Sequence, residues 1–274
     1  MVPTASPDKA PGAPARLIQI TDTHLGPATG ETLLGLNTDV SLADVLALIE
    51  REQAEVDALV CTGDVATNPD NSCYLRYIDT IRGYFDCPHG WLPGNHDIAA
   101  LMRQIDHPHK PAMRTMQVGG WLLVLLDSSV AGQVHGAFSD SELQFLQQSL
   151  SANPGVPTLV FLHHQPVKVG SEWIDHYQVH NHEAFFAVLD AHPQVKAVSW
   201  GHVHQDFTLT RGQQLLLATP STCVQFKPDS SHFALDAAMP GYRWFDLYPD
   251  GRLETSVSRV TDKDYGIDYR SAGY

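Results

Sequence analysis

Short apolar runs recur along the chain at residues 17–20, 58–61, 121–126, 158–162 and 195–200, each too brief for a helix and followed by a polar cluster. Runs of this length, rich in Val, Leu and Ile, predict buried strands. Between the first two, Leu42, Val45, Leu46 and Ile49 recur with the helical period, and Ser41 followed by Asp44 predicts a capped amphipathic helix. Ser139 and Glu142 have capping-box spacing ahead of Leu143, Phe145, Leu146 and Leu150. A third helix is expected over residues 183–190, leading into the strand at 195. The aromatics Tyr74, Tyr77, Tyr84 and Phe85 read as helix-packing residues. From about residue 213 the texture becomes strand-like, at 214–218, 242–247 and 253–260, with Pro249-Asp250-Gly251 predicting a hairpin turn between the last two. The alternation implies one α/β domain over residues 16–274 with a β-rich C-terminal segment. Residues 1–15 carry Pro at 3, 7, 11 and 14 and no apolar core of a signal peptide, and read as a flexible tail.

Composition narrows the classes. At 43% hydrophobic and 18% charged the chain is of globular type. Its longest apolar run falls far short of the roughly 20 residues of a membrane helix. Seventeen Lys and Arg against 31 Asp and Glu give a net charge of −14, which argues against a broad nucleic-acid surface. None of the four cysteines forms a CxxC pair and Cys61 lies inside an apolar run, which points to buried thiols and a cytoplasmic protein. The 15 histidines stand out. Imidazoles hold metals, and metals give an acidic protein a local source of positive charge.

Five polar clusters share one address, just beyond an apolar run. They are Asp22-Thr23-His24, Gly63-Asp64, Gly94-Asn95-His96-Asp97, His163-His164 and Gly201-His202-Val203-His204. Ligands of α/β sheets bind beyond the carboxyl ends of strands, so these loops are expected to converge. Two carboxylates, an amide oxygen and several imidazoles form a mixed O/N donor set that suits Mn, Fe, Zn or Co. If Asp22/His24 and His202/His204 lie on extended backbone, each i,i+2 pair points the same way. Gly63, Gly94 and Gly201 would admit close approach of the backbone to a crowded centre. The donors exceed the needs of one ion, and two ions sharing a bridging carboxylate would use them. No GxxxxGK[ST], HExxH or GxSxG pattern competes. His89, His107, His109, His135, His192 and His232 read as structural, and Asp127 as a tether of its own loop. Asp175, His176, His180 and His182 read as a loop at the cleft rim, although His176 and His180 have helical spacing.

In order, DTH, GD, GNHD, HH and GHVH resemble the signature of the calcineurin-like metallophosphoesterase superfamily. Residues 217–228 (LATPSTCVQFKP) and the Gly-Tyr terminus are similar to its class III cyclic-nucleotide phosphodiesterases, over nearly everything after the tail. The resemblance implies a four-layer α/β/β/α metallophosphoesterase sandwich with a β-rich C-terminal segment. It implies hydrolysis of 3′,5′-cyclic AMP to 5′-AMP by a bridging metal-bound hydroxide at a dinuclear site, lowering cellular cyclic AMP. Asp22, His24 and His204 correspond to ligands of one metal, and Asn95, His163 and His202 to ligands of the other, with Asp64 bridging. His96 corresponds to the catalytic histidine, and His24, Asp64, Asn95, His96 and His204 to residues that meet substrate. Of the adjacent pair, His163 matches the ligand position, with His164 its alternative by one residue. The implied cofactors are two divalent or mixed-valence ions, Fe and/or Mn foremost, Zn or Co as further options. The implied partner is a small cyclic nucleotide, cyclic AMP, with no nucleic-acid polymer and no membrane. Thr222, Cys223, Gln225 and Phe226 are candidate rim contacts. One departure is Asn68, where related protein phosphatases often place an aspartate that orients the catalytic histidine. The alternatives are a phosphodiesterase of the same superfamily acting on another cyclic nucleotide or small diester, and a metal-free binding scaffold.

Overall fold

Two mixed β-sheets pack against each other and each carries helices on its outer face. The structure, a computed structural model, describes residue 10 and residues 12–273, so most of the expected N-terminal tail lies outside the described residues. The first sheet runs, in spatial order, Leu253–Arg259, Gly241–Leu247, Ala15–Ile20, Ala58–Cys61 and His89–Trp91. The second runs Phe207–Arg211, Gln214–Ala218, Val195–Trp200, Thr158–Phe161, Trp121–Leu125 and Thr115–Val118. The strands at the heart of each sheet pair in parallel, Ala15–Ile20 with Ala58–Cys61 and Thr158–Phe161 with both its neighbours. Parallel strands are covered on both faces, which explains why they read as unbroken apolar runs and not as alternating ones.

Period-two alternation sorts their side chains into layers. Leu17, Val60 and Phe245 of the first sheet meet Leu123, Leu159, Phe161 and Leu217 of the second in the inter-sheet core. The opposite face of the first sheet, with Ile18, Ile20 and Leu59, packs on the helices Thr38–Glu52 and Asn71–Tyr84. The outer face of the second, with Val124, Val160 and Val198, packs on Asp140–Ser151 and His182–Asp190. The result is the α/β/β/α order that the resemblance implied. At the loop end the inter-sheet layer turns polar. Gln19 donates to Thr62 Oγ1 (2.9 Å) and accepts from Ser199 Oγ (2.6 Å), a satisfied buried bridge from one sheet to the other.

Local chemistry explains where elements start. Ser139 caps its helix as expected, its Oγ accepting from the Glu142 N–H at 3.1 Å. Glu142 does not complete a capping box. Its carboxylate instead takes Arg114 and the Asp127 N–H, a stronger charge-assisted use of the same group. Ser41 is not the cap of the first helix. That helix starts at Thr38, capped by Asn37, and the Ser41 hydroxyl, inside it, donates to the Thr222 carbonyl at 2.6 Å. A strand the pattern did not suggest, Phe207–Arg211, forms an exposed edge with few apolar residues. The hairpin turn at Gly251 forms as expected, with φ of 85° and its N–H bonded to Tyr248 O. Among the described residues no helix is long and apolar enough to cross a membrane.

Phe161 is fully buried between the sheets and meets Phe245 edge-on at 6.0 Å. Phe161→Ala should lower the unfolding free energy by about 3–5 kcal/mol, measured by urea denaturation.

Candidate metal centre and cavity

All five polar loops leave the carboxyl ends of the parallel strands at one end of the sandwich. Backbone hydrogen bonds stitch them together: Asp22 N to Gly63 O (3.0 Å), His24 N to Asp64 O (2.9 Å), Gly201 N to His163 O (3.2 Å) and Thr222 N to Thr21 O (3.1 Å). The geometry within each loop differs from the extended pairs expected. Asp22, His24, Asp64, His202 and His204 all have left-handed backbone, with φ of 54°, 48°, 47°, 64° and 48°. This conformation costs an L-residue roughly 1–2 kcal/mol, and Asp and His tolerate it better than most. Side chains therefore converge through tight left-handed turns and not through strand alternation. Close approach explains the glycines: a Cβ on Gly94 would lie 2.5 Å from the Asp64 nitrogen, and one on Gly201 2.6 Å from Asp22 Oδ2.

The structure brings Asp22, His24, Asp64, Asn95, His163, His202 and His204 together. Donor atoms of Asp22, His24 and His204 lie within 4.8 Å of one another, as do those of Asp22, Asp64 and His163, and those of His163, His164 and His202. Asp64 lies between the groups, its Oδ2 3.3 Å from His163 Nε2 and 3.9 Å from His24 Nε2. His163 Nε2 is also 3.2 Å from Asn95 Oδ1. His164 shares the third group, with Nδ1 2.8 Å from Ser128 Oγ and its buried Nε2 without a hydrogen-bond partner among the described residues.

Tautomers follow from the outer contacts. His163 Nδ1 donates to Thr62 O and His204 Nδ1 to Val224 O, both at 2.8 Å. Each Nδ1 therefore carries a proton, and each ring turns its Nε2 inward. His204 Nε2 then faces Asp22 Oδ1 at 3.2 Å and His24 Nε2 at 3.3 Å, while His202 Nε2 is buried without a hydrogen-bond partner among the described residues. Asp22 and Asp64 are 0% and 2% exposed, and their ion-pair partners among the described residues are histidines alone. Lone pairs and carboxylates packed against each other repel unless a cation sits among them. The donor set thus fits metal ions.

Protonation tells the same story. Burial works to raise the Asp22 and Asp64 carboxyls, yet the facing imidazoles hold both below the usual carboxylate range. Burial pushes His24 down to about 3 and drives His202 and His164 well below the imidazole range, the neutral ligating form. Burial opposes charge on His163 as well, but the Asp64 carboxylate overrides it and raises the ring to about 9.

A cavity of about 410 Å³ opens over this cluster and is lined there by Asp64, Asn95, His96 and His202. His96 is partly exposed, its backbone N–H is held by Asp64 Oδ1 (2.8 Å), and its ring stands edge-on to His24 at 5.2 Å. Asn68 is exposed. Asp97 braces the loop from behind, accepting from Val65 N, Ala66 N, Gly94 N and Tyr74 Oη at 2.9–3.2 Å. Burial and the Asp64 charge push its carboxyl up to about 7.

Of the four candidate rim contacts, only Phe226 lines the cavity. Thr222 and Cys223 are buried, and the Gln225 amide donates to Ser221 O and Cys223 O. The structure adds Gln133, Val134, Trp173, Tyr177 and Phe233 to the lining, which no motif marked. The rim histidines are not on a shared helix, since that helix ends at Asp175; Asp175 holds the Val169 and Gly170 N–H groups, and His180 stacks on His135 at 3.8 Å.

The calcineurin-like phosphoesterase family matches residues 15–206, and the chain belongs to that family. It is 41% identical, over 97% of each chain, to the 3′,5′-cyclic adenosine monophosphate phosphodiesterase CpdA of Pseudomonas aeruginosa. It is also 41% identical, over 96% of each chain, to the protein of the same name from Escherichia coli strain K12. A solved dimetal phosphatase from Danio rerio superposes with a TM-score of 0.58 at 18% identity, covering 90% of this chain and 99% of that one, a likeness of fold.

Because His163 is raised to about 9, chelated protein at pH 7 carries a proton there that a metal must displace. Metal uptake should therefore release protons, and metal affinity should rise with pH up to that value. Calorimetric titration in two buffers of different ionisation enthalpy measures the release.

Proposed function

We propose that the protein hydrolyses 3′,5′-cyclic AMP to 5′-AMP at a dinuclear metal centre. The observation that carries this is the buried set of inward-facing Nε2 atoms and carboxylates, without Lys or Arg among the described residues, open on one side to a cavity bearing Asn95 and His96. The substrate is supported by the identity, over 97% of each chain, to a relative named as a cyclic AMP phosphodiesterase. Asp22, His24 and His204 would hold one ion and Asn95, His163 and His202 the other, with Asp64 shared between them. The mixed O/N set suits Fe or Mn, and also Zn or Co. Two such ions, when bound, supply Lewis acidity to the phosphoryl oxygens and to an attacking water.

The chain's own residues do the rest. Asp22 and Asp64 offset only half the charge of two divalent ions, so the centre stays cationic toward a monoanionic diester. Asn95 contributes an oxygen without adding charge, and an aspartate there would weaken the attraction. Thr62 and Val224 carbonyls fix the rings of His163 and His204 before substrate arrives. His96, at the cavity surface, is placed to protonate the ribose 3′-oxygen as its bond to phosphorus breaks, leaving the phosphate on the 5′-oxygen. A cytoplasmic site of action accords with four free cysteines, three of them buried.

A steady-state assay on metal-quantified protein tests the reading, with cyclic AMP set against cyclic GMP, 2′,3′-cyclic nucleotides and glycerophosphodiesters. A better turnover of any of these than of cyclic AMP would displace it. His96→Ala should retain both metals and lose about 10²–10⁴-fold in kcat. For Asp64→Ala, elemental analysis should find the metals depleted; two tightly held ions would remove the shared-ligand role.

A further inference from the structure

Hydrolysis as described uses one side of the cavity and leaves the rest of its wall without a task. That wall includes Gln133, Val134, Trp173, Tyr177, Phe226 and Phe233. The aromatic rings form a continuous array that begins at the metal cluster. Phe226 stacks on His204, with centroids 4.1 Å apart and planes 6° from parallel. Trp173 meets Phe226 edge-on at 5.1 Å and Phe233 at 5.2 Å.

One feature of this wall is unfavourable unless something binds there. Val134 and Tyr177 are 45% and 36% exposed, large apolar groups left to water beside a cavity. The framework is nevertheless rigid. Gly136 N donates to Tyr177 O (3.3 Å), His180 N donates to Gly136 O (2.8 Å), and the His135 and His180 rings stack at 3.8 Å. The segment around Val134 is thus locked to the one bearing Tyr177 before any ligand arrives.

The described lining contains no Lys or Arg. It offers no Lys or Arg to a second phosphate, so it suits an uncharged, planar group attached to a single phosphodiester. We propose that this wall is a nucleobase shelf, with Trp173 as the specificity-determining residue that stacks the base. A purine, with the larger face, gains more from it than a pyrimidine. The inference rests on the phosphodiesterase reading for its substrate, and deepens it by saying what separates a cyclic nucleotide from other diesters.

The test compares cyclic AMP with abasic 3′,5′-cyclic ribose phosphate, and 5′-AMP with ribose 5-phosphate in calorimetry, on wild type, Trp173→Ala and Trp173→Phe. Trp173→Ala should shrink the preference for cyclic AMP over the abasic diester about tenfold or more, through KM and not kcat, with Trp173→Phe recovering most of it. The preference for 5′-AMP over ribose 5-phosphate should shrink in parallel. Equal losses on both substrates would mean that Trp173 acts only through Phe226 and His204, and would overturn the proposal, as would wild-type protein binding 5′-AMP no better than ribose 5-phosphate. If metal-loaded wild type cleaves no diester yet prefers 5′-AMP, the shelf stands and the phosphodiesterase reading falls.

Discussion

Asp22 and Asp64 are carboxylates almost wholly withdrawn from water, and the groups packed around them are imidazoles whose inner nitrogens bear lone pairs. Removing such ions from water costs several kcal/mol each unless opposite charge meets them. The surroundings supply none from Lys or Arg. What they supply is fixed orientation, because carbonyls of Thr62 and Val224 hold the outer nitrogens of His163 and His204. The cluster is therefore stable in place only with cations within it, protons or metals, and the rest of the molecule serves to stop it relaxing.

That service falls to the sheets and to the segment after them. Five left-handed non-glycine residues in one small volume represent stored conformational energy, on the order of 5–10 kcal/mol together. Parallel pairing fixes the strand ends from which these loops depart, and the Gln19–Ser199 bridge joins the two sheets beside them. Residues 221–226 then tie the loops down: Ser221 Oγ donates to Asp22 O at 2.8 Å, Thr222 N to Thr21 O, and Val224 O takes His204 Nδ1. Of the residues suspected as substrate contacts, Thr222 belongs to this clamp on the donor loops, and Gln225 braces the clamp from within through Ser221 O and Cys223 O.

Charge works on two scales. The chain as a whole is at −14, yet an anionic diester responds to the few ångströms around the centre, where two carboxylates would not neutralise two divalent ions. Beyond that centre the cavity wall is uncharged and aromatic. A site divided in this way separates attraction of phosphate from recognition of what the phosphate carries.

The apolar runs were legible as strands because strands covered on both faces need unbroken hydrophobicity, and the five donor clusters were legible because each directly follows such a run. The resemblance carried by their order supplied the pairing of ligands with metals, which remains a proposal. Ser41 shows the limit of local pattern: its spacing suited a cap, but Asn37 starts the helix and Ser41 is drawn to the Thr222 carbonyl, 181 positions away. The expected i,i+2 geometry failed for a related reason, since left-handed turns are imposed by contacts between loops and no local propensity demands them. Sequence by itself determined which donor groups follow each strand, because donors are chemical types written directly in the chain. Only the tertiary structure decided which nitrogen of each ring faces inward, and that Val134, Trp173, Tyr177 and Phe233 share a wall. Those facts are relations between distant segments, and no window along the chain contains both partners.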